Sequence, residues 1–350
     1  SFFFFFFFFL SFLSFPFLFF FFFFFLRYRR SCLAHVQLPA QMGIDLGLRD
    51  RRSGLEHRGG LLYPQFHDRH GNPAVPVRYG YHALNGSYTE MHLVPFPAGT
   101  LATEAASALN VTVETAVAPD NAAILVVRVS SNATTPAAAA AANLSVVVHP
   151  QSFWDAAVAM TLGADGRTLQ LDAAGDLGTL VVSFSQAPLA PATPSEHGCL
   201  DGTAPRFNCL SFAVLATPLY ITVAPLGTAP PSSATIDAML AAGRAQTRAV
   251  LDAGGPGPLF DLFDAMHTAL AWNVNYDPHV AVHMPVSRTF ESQFDFIFFD
   301  WDVYFASLMA GTAPTATADP TAFEYAISNI IAVTQTRSSY GQVPVVDGTK

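Results

Sequence analysis

The chain has 350 residues and a formal net charge of -9, from 17 Lys plus Arg against 26 Asp plus Glu, and only 12% of its residues are charged. That balance excludes a basic nucleic-acid-binding surface and leaves neutral or small partners, while the length allows two domains or one large one. The aromatic content of 13% is uneven, because 18 of the 33 Phe lie between Phe2 and Phe25.

Residues 1–31 stand apart. Phe2 to Leu26 is apolar except for Ser11, Ser14 and Pro16, long enough to cross a ~30 Å hydrocarbon core as a helix, and Arg27, Arg29 and Arg30 follow at once. It reads either as a signal-anchor, making a membrane a partner, or as a low-complexity run. It has no basic start and no small-residue cleavage site, and massed Phe is a middling helix former prone to β aggregation. The chain opens on Ser1 and stops at Lys350 without a closing element, so it reads as a fragment open at both ends.

From about 60 to 226 the chain reads as a β-sandwich. Alternating or β-branched runs recur at Val111 to Val117, Ala123 to Val129, Leu144 to Val148, Leu180 to Phe184 and Leu219 to Val223, bounded by Gly, Pro, Asn or Asp. The Ala137 to Ala142 tract follows Pro136 among exposed sequons and reads as a loop insertion. Four N-glycosylation sequons, at Asn85, Asn110, Asn132 and Asn143, crowd this stretch and point to a secreted or lumenal location. Cys199 and Cys209 flank a turn-rich connection that a disulfide can staple, which agrees with an oxidising compartment; Cys32 is left over.

After Gly227 to Pro231 the apolar period becomes 3.6. Ile236, Met239, Leu240, Gly243, Thr247, Val250 and Leu251 share a helical face, with Ser233 as cap and Gly254 as stop. A second helix is predicted from Pro258 to about Trp272. A shorter one follows Phe298 to Asp302, and another opens at Asp319-Pro320 with Phe323, Ile327, Ile330, Ile331 and Thr334 as its buried stripe. Helices joined by long connections over 232–350 predict the start of an α/α barrel.

The chemistry-bearing stretch is Pro285 to Phe290 followed by Phe299 to Phe305. Arg288, Trp301 and Asp302 combine a guanidinium, an aromatic face and a carboxylate, the parts that grip a pyranose ring and its hydroxyls. The bland alternatives are an N-cap role for Asp302 in a helix beginning at Val303, pairing of Arg288 with Glu291 or Asp295, and a core Trp301. His279 and His283 have a zinc-like i, i+4 spacing, but Pro278 and Pro285 argue against a helix there, and no metal is expected. With no Gly-x-Gly-x-x-Gly, Walker or Gly-x-Ser-x-Gly pattern, no cofactor is expected either.

Trp272-Asn273, Tyr276-Asp277-Pro278, Pro285 to Arg288, Phe299 to Ser307, Ala326 to Ile331 and Tyr340 to Pro344 together resemble the six-hairpin glycosidases of the mannosylglycerate hydrolase type, close to glycoside hydrolase family 63. An arginine and a Trp-Asp pair also resemble the trehalase signature, and Gln342 and Val345 depart from the family's turn. The resemblance implies a β-sandwich followed by a truncated all-α (α/α)6 barrel, and an inverting α-glycosidase acting on α-glucosides or α-mannosides. It assigns Arg288, Trp301 and Asp302 to binding a terminal sugar. Inversion needs two carboxyl groups roughly 6.5–9.5 Å apart. By resemblance these lie beyond Lys350, so the fragment alone is expected to be inactive, and the alternatives are a trehalase-like hydrolase or a non-catalytic carbohydrate-binding protein.

Overall fold

Period-2 alternation of apolar residues builds most of the molecule. The computed structural model describes residues 35–38, 42–51, 56–58, 77–84, 86–93, 109–152, 158–173, 179–189, 210–214, 216–253, 260–277, 282–285, 287–288, 296–312, 321–335 and 346–349. The N-terminal aromatic run and its two readings therefore lie outside the described residues.

Two antiparallel sheets dominate. The smaller contains β1 (His35–Leu38), β2 (Met42–Asp50), β3 (Glu56–Arg58), β8 (Leu144–Ser152) and β12 (Leu210–Ala213), in the order β1-β2-β8-β12 with β3 also on β2. The larger holds eight strands: β4 (Val77–His82), β5 (Tyr88–Leu93), β6 (Val111–Ala118), β7 (Asn121–Ser131), β9 (Val158–Leu162), β10 (Thr168–Ala173), β11 (Thr179–Phe184) and β13 (Leu219–Pro225). Their order is β4-β5-β6-β7-β13-β11-β10-β9.

The main core lies between these sheets. Leu46, Leu48, Val146, Val148 and Phe212 from the smaller sheet cluster with Val111, Val113, Val127, Leu171, Val182 and Ile221 from the larger. In β11 the alternation is plain: Leu180, Val182 and Phe184 are buried, while Val181 and Ser183 are half-exposed. Phe184 stacks on Phe212 with centroids 4.8 Å apart, tying the sheets across the core. Each buried side chain of this size contributes roughly 1.5–3 kcal/mol.

The alanine tract corrects the loop expected from sequence. Pro136–Ala142 forms helix α1, because Thr135 caps it through Oγ1 accepting from Ala138 N at 3.2 Å and proline fits the first turn. Asn143 ends it in the left-handed conformation, φ 52°. Local capping outweighed the loop signal that Pro136 and the sequons carried. The next helix, α2 (Ser233–Ala253), buries Ile236, Leu240, Thr247 and Leu251. Its cap is Ser232 rather than Ser233, with Ser232 Oγ accepting from Thr235 N at 3.2 Å.

The expectation of a β-sandwich leading into a truncated (α/α)6 barrel is overturned. The described chain is mostly antiparallel sheet, centred on the eight-stranded one, with few helices. Helix α2 packs on the outer face of that sheet: Ile236 and Leu240 meet Tyr88, Ala116 and Val126. After α3 (Phe260–Asn273) the chain returns to strands: β14 (Val274–Asp277), β15 (Val282–Pro285), β16 (Ser287–Arg288) and β17 (Phe296–Phe299). Only then come α4 (Asp300–Thr312) and α5 (Thr321–Gln335), followed by β18 (Val346–Thr349). The reason is local composition, because Pro278 and Pro285 break any helix and Val274, Tyr276, Val282, Phe296 and Ile297 favour a pleated backbone.

The buried stripe predicted for α5 is also reversed. Phe323 is 58% exposed, and Ile327, Ile330, Ile331 and Thr334 are exposed too, while Ala322, Tyr325, Ala326 and Asn329 are buried. Helix α4 explains the choice. Its Ala306, Met309 and Ala310 pack with Ala322, Tyr325 and Ala326, and a Cβ at Gly311 would lie 3.9 Å from Ala326 Cβ, an ordinary contact distance.

Candidate functional site

Strand β17 joins the sequence-predicted residues. Phe296–Phe299 runs straight into α4, and its antiparallel partner on one side is β16, with Ser287 opposite Ile297 and Arg288 opposite Phe296. On the other side is β18, with Phe299 opposite Val346 and Phe298 opposite Asp347. Arg288 is thus one strand away from the chain that leads to Trp301 and Asp302, and the stretch after Pro344 is tied to the same strand. The hairpin of β14 and β15 precedes this, pairing Tyr276 with His283, and β15 touches α3, α4 and α5.

Helix α4 begins at Asp300, so Trp301 and Asp302 belong to its first turn. Asp302 is not the cap of a helix starting at Val303. A carboxylate in a first turn is favoured by the helix dipole. His283 lies in a strand, which removes the helical zinc spacing, and His279 lies outside the described residues. Glu291, Asp295, Cys199, Cys209 and Asn85 lie outside them as well. The ends of the connection carrying the two cysteines are drawn together by Leu189 N donating to Ser211 O at 2.7 Å.

A second constellation was missed in the sequence. Cross-strand register aligns Glu90, Glu114, Arg128 and Tyr220 in one row over β5, β6, β7 and β13. Tyr88, two residues before Glu90 on the same face, donates its hydroxyl to Glu114 Oε1 at 3.0 Å and lies 3.3 Å from Glu90 Oε2. Arg128 Nε donates to Glu114 Oε2 at 2.9 Å, its Nη2 reaches the same oxygen, and its Nη1 donates to Asp237 Oδ1 at 2.7 Å. Tyr220 donates its hydroxyl to Asp237 Oδ2 at 3.0 Å. At the other end His92 Nε2 sits 2.9 Å from Glu90 Oε1, and Arg244 Nε 3.3 Å from Glu90 Oε2.

Helix α2 supplies Asp237 and Arg244, seven residues apart and so on one face. Two glycines make the fit possible. A Cβ at Gly243 would come 3.0 Å from Tyr88 Cβ, and one at Gly80 would come 2.7 Å from Glu90 Cδ. Glu90 is 1% and Glu114 4% exposed, so no sugar reaches either carboxylate in this arrangement. One oxygen from each meets a single hydroxyl, tighter than the ~6.5–9.5 Å that inversion needs. The ladder therefore locks α2 to the sheet. The signal available in sequence was a charge alternating with core-facing valines inside an apolar run, as in Val113-Glu114-Thr115-Ala116 and Val127-Arg128-Val129.

Burial, with the carboxylates of Glu114 and Glu90 beside it, holds the Tyr88 phenol far above its ordinary range. Tyr220 is raised by burial and by Asp237. Burial opposes the charge on Arg128, but its hydrogen bonds to Glu114 and Asp237 outweigh that and strengthen it. Tyr88 has a pH consequence. Below about pH 10 the phenol is protonated in both states, and its contribution to stability is fully present. Above that the unfolded chain releases a proton that folded Tyr88 retains, so stability falls as pH rises past ~10. Absorbance titration should show the last phenolates appearing only with unfolding, and Tyr88→Phe should flatten the alkaline decline. Complete phenol ionisation in a still-folded chain contradicts this.

No protein-family model matches this chain, and no curated protein matches it either.

Proposed function

We propose that this chain belongs to a secreted or lumenal carbohydrate-active protein, an inverting α-glycosidase acting on α-glucosides or α-mannosides. In this reading Arg288, Trp301 and Asp302 bind the terminal sugar. The observation that supports it is the pairing of β16 with β17 immediately before α4, which keeps the arginine strand beside the helix start carrying the Trp-Asp pair. A tryptophan face suits the apolar side of a pyranose, and carboxylate and guanidinium groups suit its hydroxyls.

Catalysis is assigned to neither Asp300 nor Asp302, and the buried Glu90 and Glu114 are unreachable by substrate. The role of Asp302 is recognition. Titration of the chain with glucose, mannose and trehalose, alongside its Asp302→Asn variant, tests it. Binding of one of these sugars that weakens roughly tenfold or more in the variant, with an unchanged melting temperature, is the expected result, since a charge-assisted hydrogen bond contributes about 1.5–3 kcal/mol. Equal affinity in both proteins, or a variant that merely melts earlier, rules the assignment out. Release of glucose or mannose from an α-glycoside by a protein containing the chain distinguishes hydrolysis from binding alone.

A further inference from the structure

The described sequon asparagines gather at one pole of the two-sheet core, yet the structure treats their tripeptides differently. Asn110 precedes Val111 at the start of β6, and Asn132 follows Ser131 at the end of its partner β7. The two are bonded directly, Asn132 N donating to Asn110 O at 3.0 Å and Asn110 N donating to Asn132 Oδ1 at 2.8 Å. Asn143 lies at the same end, between α1 and β8, its carbonyl accepting from Arg51 N at 3.0 Å.

A sequon is modified only where the asparagine amide and the hydroxyl two residues on are both reached. Asn132 and Thr134 are exposed and lie outside any strand or helix. Asn143 is half-buried in a left-handed cap, its next residue Leu144 is buried, and Ser145 is 1% exposed with its Oγ enclosed. Asn110 is itself exposed and Thr112 half-exposed, so burial does not close this tripeptide; it enters β6 at once, its Asn110 N–H and carbonyl are held by Asn132, Val111 is buried, and Thr112 Oγ1 lies 3.2 Å from His92 Nδ1.

We propose that Asn132 is the one described acceptor competent for N-glycosylation in the folded chain, and that folding closes Asn110 and Asn143. The co-reactant is a lipid-diphosphate-linked oligosaccharide. Asn132 Nδ2 bonds to the anomeric carbon of its first sugar, the bond from that carbon to the diphosphate oxygen breaks, the lipid diphosphate departs, and the amide gives up one proton. Because the reaction consumes Nδ2 and leaves Oδ1, the bond from Asn110 N survives and the strand ends stay joined. This inference stands independently of the sugar-recognition reading.

The test is made on chain produced without glycosylation, then incubated folded or urea-unfolded with a single-subunit oligosaccharyltransferase and its lipid-linked oligosaccharide. Modified sites are mapped by peptide mass spectrometry. In the folded chain, modification at the described sequons is expected at Asn132 alone and is lost in Thr134→Ala, which leaves Asn132 itself intact. In the unfolded chain Asn110 and Asn143 become modified as well. Modification of folded chain at Asn143 or Asn110 as fast as at Asn132, or none at Asn132, overturns the proposal.

Discussion

Replacing Arg128 by Met is expected to lower the unfolding free energy by about 3–5 kcal/mol. Arg128 itself is partly exposed, but the charge it leaves behind is not: the Glu114 side chain is 5% exposed. Without the guanidinium, that carboxylate keeps the Tyr88 hydroxyl as a donor and loses two charge-assisted bonds, while Asp237 loses its tether to the sheet. The reverse loss, of a buried carboxylate together with its arginine, is far milder, because no uncompensated charge remains. Arg128→Met combined with Glu114→Leu should therefore recover most of the stability. Urea unfolding of the parent and the two variants checks both statements. A single variant within about 1 kcal/mol of the parent shows that the ladder carries little of the docking of α2.

The other large effect is expected in the inter-sheet core. Phe212 is fully buried on β12 and stacks on Phe184, so Phe212→Ala removes a ring that touches both sheets and leaves a cavity with little means of collapse. The expected cost is about 3–5 kcal/mol, and Phe212→Leu should recover a large part of it. Thermal and denaturant unfolding measure it. A small loss on Phe212→Ala means that the sheets close over the gap.

Much of the fold was legible because its signals are local. In β11, Leu180, Val182 and Phe184 alternate with Thr179, Val181 and Ser183, and a side-chain period of two sends them to one face without reference to the rest of the chain. The same holds for the long apolar stripe of α2. The alanine tract shows where such reading errs: Pro136 and the sequons suggested a loop, whereas Thr135 and Asn143 supplied both helix caps and decided for α1. The candidate sugar-binding residues were proposed only through two short motifs, Pro285 to Arg288 and Phe299 to Ser307. That β16 lies on β17 follows from pairing between segments, which no spacing reveals.

What the amino-acid sequence determined by itself is therefore what neighbours in the chain can enforce. It set the strand periods of β6, β7, β11 and β13, the amphipathic face of α2, and an acidic balance unsuited to nucleic acid. Tertiary structure decided which faces meet. It turned the Ala322, Tyr325 and Ala326 side of α5 inward against Ala306 and Ala310 of α4 and left Phe323 and Ile327 outside, against the ranking by hydrophobicity, because the facing helix and not the helix's own apolar count selects the buried side. It also brought Glu90, Glu114 and Arg128 into one row, although they come from three strands. A charge inside an apolar run becomes stable only when register sets an opposite charge or a donor beside it, and register belongs to pairs of strands rather than to either alone.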